Sequence, residues 1–273
     1  MKGLSRAARV RLAPGVPDLA ALGAEAPEDL FAGEPAPSAR AELISADRES
    51  ELWRCALPGT PDASGRRHGR PRGAGTGFVF VRRYRAATWR SLLRARFTEP
   101  RSASLAERDW NLFCHLRQLG VGTADPLAVA SEQSGIFARC SFLVTRELSG
   151  MLPAPRWFRE THEPARRRAG LRSVGLFVSR LSRSGVDLPR LCAEHLFLSH
   201  GTRRPDALPQ RIALSLSPEV ALASVRGGRL TGRARDAAAR ELLQRLDRTA
   251  GDPHPLTERE RASVLVAATR DDR

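Results

Sequence analysis

FVFVRRY (78–84) and, after a basic segment, SASLAERDWNLFCHLRQLG (102–120) decide how this chain folds. The first opens on alternating Phe and Val, the composition of a pleated strand. The second begins with serine and acidic residues and spaces Leu105, Trp110, Leu112, Phe113 and Leu116 along a helix. It stops at Gly120. Strand signals flank this strand–helix pair. Residues 41–45 and 51–57 precede it, joined by the polar turn Ala-Asp-Arg-Glu, and residues 126–130 and 136–147 follow.

Outward from that centre the pattern changes. Residues 1–40 are rich in Ala and Pro and read as an N-terminal extension with one short amphipathic helix at 18–31. Residues 58–77 form a low-complexity Gly/Pro/Arg loop, and 88–97 is a short basic helix. Gly150-Met-Leu-Pro breaks the chain. A helix is expected at 163–184, short strands at 195–198 and 211–216, and closing helices at 232–249 and 256–269. Thr257 and Glu260 have the spacing of a capping box on the last helix. The expected division is an extension (1–40), a small β-rich lobe (41–149) and a mainly helical lobe (150–273). The expected class is α+β, in the two-lobed layout of a protein-kinase-like fold.

Composition narrows the chemistry. The chain has 273 residues, 41% hydrophobic and 27% charged, enough apolar content for a substantial core. Its formal charge is +15, yet Lys2 is the only lysine among 45 basic residues. A P-loop, a Schiff base or a kinase phosphate anchor would therefore have to use a lysine at the extreme N-terminus, and none of the three is expected. Asn111 and Tyr84 are also the only residues of their types, a bias toward GC-rich codons that accounts for part of the arginine excess. Cys55, Cys114, Cys140 and Cys192 show no CxxC pair or zinc spacing, so reduced thiols and no metal site are expected. No apolar run approaches the ~20 residues of a membrane span. The basic N-terminus has no apolar stretch after it, so a cytoplasmic protein is expected.

VFVRRYR (79–85) with RSASLAERDWNLFCHLRQLGVGTADPLAV (101–129) resembles the small lobe of the lipopolysaccharide kinases, the Kdo kinase/WaaP family. That family reads as a strand ending Val-Lys-Arg-Tyr, a helix with an acidic-aromatic pair, then Leu-x-x-x-Gly-Ile/Val-x-x-x-x-Pro. SFLVTRELSG (141–150) resembles its hinge strand, and LSRSGVDLPRLCAEHLFLS (181–199) its catalytic loop. The tail segments RARDAAARELLQRL and LTERERASVLVAAT are similar to its closing helices. The resemblance spans residues 42–269, with the 58–77 loop outside the strong match.

The departures bear directly on activity. Phosphoryl transfer in this architecture uses a strand lysine on the phosphates, a helix acid that orients it, a catalytic-loop aspartate and a metal-binding aspartate. Matched position by position, the lysine is Arg82 and the helix glutamate is Asp109, with Glu107 the other candidate. The catalytic-loop histidine and aspartate are Leu188 and Arg190, and the metal-binding aspartate is Ser215. Only His195 still fits a position where the family often carries histidine. Arg190 reverses a charge where a carboxylate accepts the hydroxyl proton. Ser215 offers Mg²⁺ a neutral oxygen instead of an anionic one. Asp187 and Glu219 would restore the acids only by a register shift that turns Leu191, Leu214 and Leu216 to the wrong face.

The leading expectation is thus a catalytically impaired pseudokinase that binds or scaffolds through Arg82, Arg190 and His195. ATP is a candidate ligand, and Mg²⁺ is disfavoured. The partners implied are a phosphorylated or saccharide-lipid ligand or a partner enzyme, with peripheral contact at the anionic inner membrane. The alternatives are an active ATP-dependent kinase acting on a sugar hydroxyl of a glycolipid, and a basic nucleic-acid-binding module. The last is disfavoured by an aromatic content of only 5%. Plainer roles stand beside these. Arg82 and Arg83 lie on opposite faces of one strand, so Arg82 pairs with Asp109 while Arg83 points to solvent. His195 is a hydrogen-bonded structural histidine, and Arg166, Arg167 and Arg168 are solvated charge, with a phosphate or anionic-lipid contact as the alternative.

Overall fold

The computed structural model describes residues 8–16, 41–46, 50–57, 77–84, 104–134, 137–148, 150–184, 195–199 and 212–214, with single helical positions at 240, 244, 258, 262 and 266. The expected helices at 18–31 and 88–97, the loop 58–77 except Gly77, and Leu188, Arg190 and Ser215 lie outside these residues. The two closing helices are represented only by the single positions. The chain forms two compact units, residues 1–114 with 125–147, and residues 115–124 with 148–273.

The first unit contains a six-stranded antiparallel sheet built from β1 (Ala8–Leu12), β2 (Ala41–Ala46), β3 (Ser50–Ala56), β4 (Phe78–Tyr84), β5 (Pro126–Ser134) and β6 (Phe137–Arg146), in the order β1-β5-β6-β4-β3-β2. FVFVRRY is β4, one of the central strands, and its alternation sorts the residues as the pleat requires. Val79 and Val81 point into an apolar cluster with Cys55, Ala128, Ala130, Phe142 and Val144. Complete burial of side chains such as Phe142 and Val144 stabilises the sheet by about 1.5–3 kcal/mol each. At the end of β6, Arg54 pairs with Glu147 at 2.8 Å and lies 3.6 Å from the Phe78 ring centroid.

The sequence reading assigned residues 1–40 to an extension, but Ala8–Leu12 is an edge strand paired with β5, Val10 opposite Ala130. Arg9 and Arg11 leave the strand on the other face from Val10 and Leu12, which pack on the core. A five-residue alternation in an Ala/Pro/Arg background carries little signal until a partner strand is present.

The helix α1 (Leu105–Gln118) ends before Gly120 as its sequence implied but starts after Ser104 instead of at Ser102. The Ser104 hydroxyl accepts the Glu107 N–H, closing the first turn. At the other end Gly120 takes φ +69, its N–H bonds Arg117 O, and the Val121 N–H bonds Leu116 O. This is a Schellman cap, and glycine adopts the left-handed conformation without steric cost.

The second unit holds a three-stranded antiparallel sheet, β7 (Met151–Pro153), β8 (Leu196–Ser199) and β9 (Ile212–Leu214), with α2 (Ala154–Glu160) and α3 (Pro164–Arg183). Gly150-Met-Leu-Pro was expected only to break the chain. Instead it turns directly into β7, and Pro155 sits in the first turn of α2, where a missing N–H costs nothing. Trp157 of α2 is fully buried and donates its indole N–H to Ser199 O at 3.0 Å. Gly170 of α3 makes room for it, since a Cβ there would lie 2.6 Å from the indole ring.

Candidate functional site

Arg82 sits on the face of β4 that carries Phe80 and Tyr84, opposite the apolar cluster. It is 7% exposed, and its guanidinium lies 6.0 Å from the Tyr84 ring centroid. The same face meets α1. The Tyr84 hydroxyl donates to Asp109 Oδ2, and Arg108 donates through Nε and Nη2 to Asp109 Oδ1 at 3.0 and 2.9 Å. Both oxygens of a fully buried carboxylate are therefore engaged. Burial first, and then the Asp109 charge, push the Tyr84 phenol well above its ordinary pKa, which keeps it a donor.

The two acids considered on α1 separate cleanly. Asp109 faces β4, whereas Glu107 accepts from the Ser131 hydroxyl of β5 at 3.4 Å and lies 3.6 Å from Arg11 of β1. Asp109 is thus the helix acid nearer to the strand bearing Arg82, and Glu107 anchors the helix to β5 and β1 farther along the same face of the sheet. Sequence reasoning missed Tyr84 and Arg108 as its partners. The available signal was the spacing of Arg82 and Tyr84, two residues apart on one strand face.

Arg83 does not point to solvent. It is 7% exposed, stands opposite Glu51 in register, and its guanidinium lies 5.7 Å from the Trp53 ring centroid. Burial lowers its pKa from the ordinary value and Glu51 opposes the shift. Nearby Cys55 is a buried thiol pushed up to about 11, so it is protonated and poorly nucleophilic at neutral pH.

In the second unit His195 is half-buried and immediately precedes β8. The arginine cluster opening α3 is not uniformly solvated. Arg167 is buried and donates to Phe158 O at 3.1 Å, while Arg168 is exposed. Among the described residues no group of His, Cys, Asp and Glu converges in a metal-holding arrangement, and no helix is long and apolar enough to cross a membrane.

The sequence matches the lipopolysaccharide kinase (Kdo/WaaP) family over residues 50–209. No curated protein matches it. Among solved structures it is similar to WaaP in complex with acyl carrier protein, at TM-score 0.61 and 18% identity over 96% of this chain and 89% of that one. Looser likenesses, with TM-scores of 0.43 and 0.44, are to the PknI kinase domain of Mycobacterium tuberculosis and to Rio2 kinase of Chaetomium thermophilum. The first is 13% identical over 84% of this chain and 86% of that one, and the second 12% identical over 86% and 62%. With the match covering more than half of its length, the chain belongs to the lipopolysaccharide kinase (Kdo/WaaP) family and has its α+β, protein-kinase-like fold.

Proposed function

We propose that this chain is a pseudokinase of its family, binding a phosphorylated ligand without transferring phosphate. The observation that carries the reading is the engagement of Asp109. Its oxygens accept from Tyr84 and Arg108, so the helix acid serves to hold α1 on β4. The strand lysine it would orient is Arg82, whose planar fork does not act as an ammonium point charge. Arg190 and Ser215, at the positions of the base and the metal-binding acid, add to this. These residues do not fit a Mg²⁺–nucleotide complex, which needs carboxylate oxygens against its phosphates. Guanidinium groups instead bind phosphate directly and bidentately. The WaaP complex with acyl carrier protein supports a protein partner for this chain as well.

The test is a thermal-shift titration with ATP and with a sugar phosphate, in Mg²⁺ and in EDTA, beside a phosphoryl-transfer assay. At ~100 times Kd a ligand adds about 2.7 kcal/mol of apparent stability. The expected result is a shift unchanged by EDTA, weakened by Arg190→Asp, and no transfer. A shift requiring Mg²⁺ together with transfer to a glycolipid sugar hydroxyl would establish an active kinase and overturn the proposal.

A further inference from the structure

We infer that the exposed face of α3 is a docking surface for an anionic lipid bilayer. The helix runs for 20 residues, PARRRAGLRSVGLFVSRLSR, and contains six arginines and no acidic residue. Its buried side carries Leu171, Val174, Phe177, Val178 and Leu181. Arg168, Arg172, Arg180 and Arg183 are all exposed. At about 100° per residue they fall within a third of the helix circumference, along a row about 22 Å long. Arg167 is excluded from the row by its bond to Phe158 O. The row is therefore sorted by packing and is more than a reflection of the arginine-rich composition.

The chemistry of the face selects its partner. Protein interfaces are anchored by a desolvated apolar or aromatic centre with charge at the rim. No large apolar side chain of α3 is exposed, Leu176 being half-buried, so the face has no such centre. A row of guanidinium groups on a convex helix matches a plane of lipid phosphates, where each basic residue strengthens binding roughly fivefold. The contact is electrostatic, without insertion, and weakens as salt shortens the Debye length.

The test is co-sedimentation of the full chain with phosphatidylcholine vesicles, with and without phosphatidylglycerol. Binding is expected only to the anionic vesicles and is lost at high salt. Arg168→Gln with Arg172→Gln should weaken it roughly 25-fold, and Lys at both positions should restore it. Exposed substitutions of this kind leave folding nearly unchanged, which a melting curve checks. The control removes the same charge from residues 58–77, as Arg66→Gln with Arg70→Gln. Equal loss in the control would show that net charge alone binds, and would overturn the assignment. So would a pair of α3 substitutions that abolished binding to duplex DNA but left vesicle binding intact.

Discussion

Replacing Tyr84 by Phe removes one hydroxyl from a contact that water does not reach. Tyr84 is 2% exposed and Asp109 fully buried, so Oδ2 of the carboxylate loses its donor with no solvent to replace it. A hydrogen bond to a charged group contributes about 1.5–3 kcal/mol, and a loss near 2 kcal/mol is expected. For a chain of this size that lowers Tm by about 4–8 °C. A double-mutant cycle with Asp109→Ala isolates the pair, with an expected coupling of about 1.5–3 kcal/mol. The pH dependence gives a second readout. The folded pKa of Tyr84 is raised, so its stabilisation is present below the unfolded value of about 10 and declines as pH rises through the folded value. Tyr84 is the only tyrosine, so its ultraviolet ionisation band reports on this one group. The band should appear only as the protein unfolds in alkali, and Tyr84→Phe should flatten that part of the alkaline limb. Cys55, also raised, retains its own share in the variant. Additivity within about 0.5 kcal/mol, or a native phenol titrating near 10, would refute the account of the strand–helix contact.

Gly170→Ala should destabilise the second unit by about 1–3 kcal/mol despite the better helix propensity of alanine, because the new methyl group meets the Trp157 ring at 2.6 Å. Trp157→Leu in the same background should recover part of the loss, as denaturant melts would show. Arg167→Ala and Arg168→Ala are neighbours with opposite expectations. The first loses a buried bond to Phe158 O and should cost about 1.5–3 kcal/mol, the second less than about 0.5. Equal effects would contradict the burial that separates them.

Much of the fold was legible locally. FVFVRRY occupies the strand expected of it, and α1 begins at its serine cap and ends at Gly120, because caps and alternation act through neighbouring residues. The family was legible in these two segments together with 141–150 and 181–199. The strand at Ala8–Leu12 and the turn from Gly150-Met-Leu-Pro into β7 and α2 were not, since the first depends on pairing with β5 and the second on packing of Trp157. The site divides in the same way. Alternation alone put Arg82 and Arg83 on opposite faces, and the sequence named Asp109 and Glu107 as the acids of α1. Only the tertiary structure decided that Arg83 is buried beside Trp53, that Glu107 faces β5 and β1, and that Tyr84 and Arg108 hold Asp109. Periodicity sets the face from which a side chain leaves its element, but its burial and partners depend on segments distant in sequence that pack against that face.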